Sequence, residues 1–148
     1  MPRRKERIAV VLDTNVIVGY FLSSHPQSAI SRIFYLWRNQ RKLQLIISSE
    51  IFAEYAELME RTQIEENRVE RFKNRLEKRE TVTHVQLGTR PTASRDADDN
   101  IFLATAISGK AKFLITNDRD LLDISENDKK AFKFEILRPA GFLARFEE

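Results

Sequence analysis

The sequence predicts an α/β domain with a mostly parallel central sheet flanked by helices. Its first apolar run, Ile8 to Leu12, is rich in β-branched residues, which is typical of a strand buried on both faces. A similar run, Phe113 to Thr116, lies near the end of the chain, and the segments between the two carry apolar residues at helical spacing. Strands that alternate with helices in this way favour a parallel sheet with right-handed connections.

Local patterns place each element in chain order. Strong β propensity marks 81–87 as a strand, with an extended connection as the alternative. Thr62 is expected to cap the helix that follows it, and Gly109 to end the helix that begins among the acids at 96–99. The predicted strands cover 8–12, 42–48, 81–87, 112–118 and 132–137. The predicted helices cover 15–24 (a short helix or helical turn, then a loop), 27–41, 49–62, 63–80, 96–109, 119–125 and 139–148.

Length and composition narrow the class of protein. We expect residues 1–148 to form a single domain, with 1–6 as a disordered basic arm, because a chain of this length supports one hydrophobic core. No apolar run approaches the roughly 20 residues of a membrane helix, so no membrane association is expected. The chain has no cysteine, which excludes disulfides and thiolate metal sites and makes a cytoplasmic location the expectation. Its two histidines are too few for an imidazole metal site.

The charge distribution gives a weaker indication. The formal net charge is +3, a mild excess that suits a polyanionic partner. The basic run from Arg68 to Arg79 is interrupted by acids and is therefore expected to be a solvated helix face, with RNA contact as the alternative.

Acidic residues from four distant stretches are expected at one edge of the sheet. Asp13 and Asp118 each follow a predicted strand, and Glu54 lies early in the helix after another strand. Asp98 and Asp99 open the helix that leads back to the start of the strand from Phe113 to Thr116. In open α/β sheets this carboxyl edge is where ligands bind. The alternative interpretation is helix capping, since aspartate is a preferred cap and acids stabilise a first turn by about 0.3–1 kcal/mol.

A cluster of carboxylates points to a hard metal ion. Carboxylates brought together repel one another unless a cation neutralises them. Oxygen ligands without histidine or cysteine favour Mg2+ or Mn2+, and such ions promote hydrolysis of phosphate esters. Nearby arginines could then contact the flanking phosphates of a polynucleotide.

Four motifs in this order resemble the PIN-domain family of metal-dependent ribonucleases, and in particular its small VapC-like members of toxin–antitoxin pairs. The resemblance covers nearly the whole chain and implies a PIN-like fold, an α/β/α sandwich. The motifs are VVLDTNVIV (Val10 to Val18), ISSEIFAEYAEL (Ile47 to Leu58), DADDNIFLATA (Asp96 to Ala106) and FLITNDRDLL (Phe113 to Leu122).

The resemblance also implies a set of site residues. The family's acidic quartet, which is both catalytic and metal-binding, falls on Asp13, Glu54, Asp99 and Asp118. Asp98 is the alternative to Asp99 as the ligand from this motif. Some relatives carry a further acid where this chain has Asn100, so binding of a second metal ion is less certain than binding of the first. The remaining expected contributors are Asn15 as a secondary ligand, Thr116 and Asn117 as supports of the ligands, and Arg95 and Arg119 as contacts to RNA phosphates.

What the resemblance implies about function is hydrolysis of RNA phosphodiester bonds with one or two Mg2+ or Mn2+ ions. An antitoxin protein and a homodimer are the expected partners besides RNA. The alternative is a non-catalytic PIN-like module that binds RNA or a protein. A phosphatase is disfavoured because position 15, where such enzymes typically carry a second acid, is Asn15. A receiver domain is disfavoured because it typically has paired acids after its first strand and a lysine near its last, and this pattern is not found.

Overall fold

The computed structural model describes residues 6–23, 25–87 and 100–147, and within these ranges five strands form one parallel sheet. The strands are β1 (Ile8–Leu12), β2 (Leu43–Ser48), β3 (Val82–Val85), β4 (Phe113–Ile115) and β5 (Glu135–Leu137). Their order across the sheet is β3-β2-β1-β4-β5, and every neighbouring pair is parallel. The predicted α/β class with a parallel sheet is confirmed, and β3 is a paired strand rather than an extended connection.

Helices connect and flank these strands. In the described ranges they are α1 (Thr14–Leu22), α2 (Ala29–Arg38), α3 (Ser49–Arg61), α4 (Glu66–Leu76), α5 (Asn100–Ser108), α6 (Arg119–Leu122), α7 (Glu126–Lys129) and α8 (Pro139–Phe146). Helix α5 packs against β1, β2 and β4, whereas α1 packs on α2 and α3. Each of these helices is too short or too polar to cross a membrane.

The core lies between the sheet and the helices. All six residues of β2 are buried, as expected for a strand covered on both faces. An aromatic cluster joins α2, α3 and α4, in which Phe72 contacts Phe34, Trp37 and Tyr55. The indole N–H of Trp37 donates to the carbonyl of Thr81 over 3.0 Å, so this cluster also fixes the start of β3.

Most element boundaries differ from the predicted ones by a few residues, and two differences change the description of the fold. Thr62 does not cap the following helix, so that prediction is wrong: it ends α3, and its hydroxyl donates to the carbonyl of Leu58 over 2.8 Å. The chain then turns through Gln63 at a positive φ of 57°, and α4 begins only after Glu65. The short α7 was not predicted, because four residues are too few to show a helical period.

Strand register aligns the carboxyl ends of β1 and β4. Leu12 pairs with Ile115, and the backbone N–H of Asp13 donates to the carbonyl of Ile115 over 3.0 Å. The polar residues that follow each strand therefore emerge side by side. The same edge includes Ser48, the last residue of β2, directly before α3.

Candidate metal centre at the carboxyl edge of the sheet

Asp13 is a buried carboxylate at the end of the central strand, with only 3% of its surface exposed. Its backbone occupies the cap position of α1, but its side chain makes no capping hydrogen bond. Instead the hydroxyl of Thr116 donates to Asp13 Oδ2 over 2.6 Å. The main hydrogen bond of this carboxylate is therefore to the loop after β4 and not to the start of α1. Asn15 does not cap the helix either, since it lies inside α1 and is exposed.

Asp118 caps a helix and also borders the site. Its carboxylate accepts from the backbone N–H of Asp120 over 2.8 Å, which makes it the cap of α6. Its own N–H donates to the hydroxyl of Thr116 over 2.9 Å. Thr116 thus donates to one acid and accepts from the backbone of the other, and this bridge holds the loop after β4 against the end of β1.

The protein environment disfavours the charged form of Asp13. Burial raises the pKa of its carboxyl above the ordinary value of 3.8, and the negative charge of Asp118 raises this pKa further. The hydrogen bond from Thr116 and the backbone N–H groups of Thr14 and Asn15 lower the pKa and offset part of the rise. Among the described residues no basic side chain forms an ion pair with Asp13. A cation placed between the two acids would supply the compensation that is missing.

Tyr55 connects the third acid to this centre. The phenol is fully buried and its hydroxyl donates to the carbonyl of Leu12, directly before Asp13. Burial raises the pKa of Tyr55 well above its ordinary value, and the charges of Asp13 and Glu54 add to the rise. Both carboxylates therefore act on the same buried phenol, which remains a neutral hydrogen-bond donor. Glu54 itself is half-buried one residue earlier in α3.

Some of the other predicted site residues are buried, some are exposed, and some lie outside the described residues. Thr116 is buried, whereas Asn117 is exposed, and Asn100 is buried with 8% exposure at the first position of α5. Arg119 is exposed and lies 3.7 Å from the carboxylate of Asp123. The predicted residues Arg95, Asp98 and Asp99 lie outside the described residues. Within the described ranges, no group of three or more histidine, cysteine, aspartate and glutamate side chains is placed to hold a metal ion.

Sequence reasoning missed three polar side chains in the layer beneath the acids. The hydroxyl of Thr14 is buried without a hydrogen-bond partner among the described residues. The hydroxyls of Ser48 and Thr105 are 3.0 Å apart and join the end of β2 to α5. Thr14 lies within the DTN motif and could have been singled out there, but the contact between Ser48 and Thr105 leaves no local sequence signal.

These observations suit a hard divalent cation. The buried side chains of Asp13, Thr14 and Thr116 offer oxygen donors, the atoms that Mg2+ and Mn2+ prefer. A buried carboxylate next to a second acid, together with a buried hydroxyl that has no hydrogen-bond partner among the described residues, forms a polar environment that a bound cation would stabilise.

The fold and this edge define the chain as a parallel α/β domain with an acidic centre at the carboxyl ends of its strands. Residues 9–120 match the PIN domain family. The chain belongs to the PIN-domain family. No curated protein sequence matches it.

A solved structure with the same fold comes from the VapBC2 complex of Rickettsia felis, crystallised with a DNA fragment from its promoter. The two chains superpose with a TM-score of 0.57 at 17% sequence identity, over 88% of this chain and 98% of the other. The similarity confirms the PIN-like fold.

Proposed function

We propose that this protein is a Mg2+- or Mn2+-dependent endoribonuclease that acts as the toxin of a toxin–antitoxin pair. The observation that supports this most is Asp13, a buried carboxylate beside Asp118 without a basic partner among the described residues. Burying a charge in this way is costly unless an opposite charge compensates it. Membership of a family whose members are generally nucleases gives the acidic edge its chemical role.

The carboxylates of Asp13, Glu54, Asp99 and Asp118 are the proposed ligands, with Asp98, Asn15 and Asn100 as secondary candidates. One or two bound ions would stabilise the charge that develops on the phosphate and activate water for its hydrolysis. The protein's own contribution is orientation. Thr116 donates to Asp13 Oδ2 and accepts from the backbone N–H of Asp118, and these contacts support a role for Thr116 in orienting the proposed ligands.

Other side chains at the edge are suited to the RNA. The exposed side chain of Arg119 follows Asp118 directly and is a candidate contact to a phosphate, as is Arg95. Asn117 is exposed two positions before Arg119 and can donate hydrogen bonds from its amide. These residues would hold the polynucleotide while the acids hold the cation.

The proposed partners are an antitoxin protein and a second copy of the chain. The support for the first is the similar fold of a chain in the VapBC2 complex, an assembly that binds promoter DNA. A cytoplasmic location accompanies this proposal, because the RNA target and the antitoxin would both be found there.

Metal dependence is the first test of the proposed activity. Purified protein should cleave single-stranded RNA in Mg2+ or Mn2+, and EDTA should stop the cleavage. Mn2+ should also raise the melting temperature, because an ion that binds only the folded state stabilises it by mass action. Gel assays of labelled RNA and thermal melts measure the two effects independently.

A matched control separates the site from general electrostatics. Asp128→Asn removes one exposed acid on α7 that is not among the proposed ligands, and should leave both the cleavage and the Mn2+ response unchanged. Binding of RNA without any cleavage in either metal would contradict the enzyme and favour the non-catalytic PIN-like module.

Thr116→Val tests the orientation of the two acids. Valine keeps the shape but removes the hydroxyl, so Asp13 loses its donor and the N–H of Asp118 loses its acceptor. We expect Mn2+ affinity and cleavage each to fall by about 10- to 100-fold. The free energy of unfolding should fall by about 1–3 kcal/mol, since polar groups remain buried without partners.

The conservative change Thr116→Ser provides the comparison. Serine retains the hydroxyl and should restore most of the metal affinity measured by calorimetry. If valine lowered stability but left Mn2+ affinity and the turnover number unchanged, Thr116 would have a structural role alone.

A further inference from the structure

A cleft between α1, α2 and α4 is lined by cations. Its volume is about 440 Å³, and its basic side chains are Arg38, Arg68, Arg71, Arg75 and Lys78. No aspartate or glutamate is among its lining residues. The basic run of α4, expected to be a solvated face, therefore contributes to one concave surface together with the end of α2.

Helical geometry explains this separation of charge. Arg68, Arg71 and Arg75 follow one another at intervals of three and four residues, which places them on one side of α4, and Lys78 lies two residues beyond the end of this helix. The acids Glu66 and Glu70, together with Lys73, fall on the opposite side at 100° per residue. The basic residues of the cleft are thus separated from the acids of the same run.

The charges of the cleft are not neutralised by neighbouring acids. Arg68 donates to the carbonyl of Phe21 over 3.0 Å, and Arg38 donates to the hydroxyl of Tyr20 over 3.0 Å. Both acceptors are uncharged, and none of the described carboxylates forms an ion pair with the five cations. Burial lowers the pKa of Arg75, and repulsion by Arg38 and Arg41 lowers it further. An anion in the cleft would relieve this repulsion.

The cleft lies away from the acidic centre. Arg41, which repels Arg75, pairs with Glu80, and the carbonyl of Glu80 accepts from Arg7 directly before β1. These contacts place the cleft near the edge where the strands begin, opposite the edge that carries Asp13. The two edges are separated by the length of a strand, roughly 17–20 Å for five or six residues.

We propose that this cleft is an exosite that binds the phosphate backbone of a polynucleotide, anchoring an RNA that is long or folded enough to reach the acidic centre as well. The proposal rests on the proposed function, since it concerns the substrate of that same activity. The four arginines present planar, forked donors that match phosphate oxygens. The exosite would select RNA by length and shape rather than by base sequence, because contacts to phosphates carry no sequence information.

The lining favours a polynucleotide over an acidic peptide. A peptide that docks in a groove is anchored by side chains in apolar pockets or by a free strand edge. Two of the three aromatic residues of this cleft offer little open surface: Phe72 is 5% exposed, and the ring of Phe21 is covered by the guanidinium of Arg68 at 4.9 Å from its centre. The third, Tyr20, is half-buried and stacks on Phe34 with 4.0 Å between the ring centres. The charged side chains that line the cleft are all cations.

The test uses the double variant Arg71→Gln/Lys78→Gln. Both side chains are exposed, so the fold should be retained, and a thermal melt checks this. The matched control is Arg61→Gln/Lys133→Gln, which removes the same charge from exposed positions outside the cleft. Fluorescence anisotropy in EDTA measures binding of a labelled 30-nucleotide single-stranded RNA between 50 and 200 mM KCl. In a plot of the logarithm of affinity against the logarithm of salt concentration, each phosphate contact to a single strand contributes about 0.7 to the slope.

We expect the cleft variant to bind this RNA about five-fold more weakly than the control, with a salt slope shallower by about 1.4 for two lost contacts. In Mn2+ its KM for the long RNA should rise with kcat unchanged, while cleavage of an eight-nucleotide RNA stays as in the control. The binding assay needs no catalysis, so it stands even if no cleavage is found.

Two results would overturn the exosite. The first is equal RNA affinity in the cleft variant and the control. The second is a loss of affinity for a labelled 20-residue polyglutamate peptide that equals or exceeds the loss for RNA, which would assign the cleft to an acidic protein partner instead.

Discussion

Replacing Asp13 with asparagine should reduce RNA cleavage by more than about 100-fold, a larger loss than the tenfold to 100-fold range typical of residues that only support metal ligands. Asparagine keeps the shape of the side chain, and its amide oxygen can still accept from Thr116. What it lacks is the negative charge that would hold a divalent cation. Calorimetry should accordingly show that Mn2+ binding is lost, and a time course on labelled RNA measures the loss of cleavage.

The same variant should be no less stable than the wild type in EDTA. The folded protein raises the pKa of Asp13, so it favours the protonated form relative to the unfolded chain. The unfolded chain therefore releases the proton of Asp13 at a lower pH than the folded protein does. As a result, this residue lowers the free energy of unfolding as the pH rises from 3.8 through the raised pKa. The stability of the wild type relative to Asp13→Asn should fall over that pH range, and denaturant titrations at several pH values measure the difference.

A substantially lower stability of Asp13→Asn in EDTA would show that the carboxylate is required for the fold and not for a cation. Cleavage within tenfold of the wild type would remove Asp13 from the proposed ligands. The variant Asp128→Asn again serves as the control, since it removes an exposed acid on α7.

Asp99→Asn should produce a loss of cleavage as large as that of Asp13→Asn, whereas Asp98→Asn should remain active. Both residues lie outside the described ranges, and the prediction rests on the direction of α5. Thr105 contacts Ser48, and Gly109 lies against Ile46, so α5 and β2 run in opposite directions. The first residue of α5, Asn100, is consequently on the side of the carboxyl edge.

Asp99 directly precedes Asn100 in the sequence, and Asn100 is buried at the start of α5. Family spacing favours Asp99 over Asp98 as the fourth ligand. Parallel measurements of cleavage and of Mn2+ affinity in the two variants decide between them, and an active Asp99→Asn together with an inactive Asp98→Asn would reverse the assignment.

The sheet and its acidic edge follow from sequence patterns that are strong and local. Apolar β-branched runs mark β1 and β4, and parallel pairing brings whatever follows them to one edge, so Asp13 and Asp118 could be placed together in advance. Asp118 shows that the two interpretations of an acid are compatible, because it both caps α6 and borders Asp13.

The interactions that could not be predicted join residues far apart in the chain. The sequence predicts that Tyr55 belongs to the apolar stripe of a helix. Its hydroxyl, however, donates to the carbonyl of Leu12 at the end of β1, 43 positions away. The charges of the basic run could not be assigned to a cleft until the end of α2 was placed beside it. Thr62 resembles a helix cap in sequence, but the backbone turn at Gln63 delays the next helix.

The bond between Thr116 and Asp13 spans 103 positions, and this has a consequence during synthesis. Since β1 is the central strand, it must wait for β4 before its second neighbour is in place. A nascent chain that has not yet released β4 from the ribosome holds Asp13 without the hydroxyl that orients it. The carboxylate pair therefore assembles only after β4 has been synthesised, and under the proposed function a chain that stops before β4 would not cleave RNA.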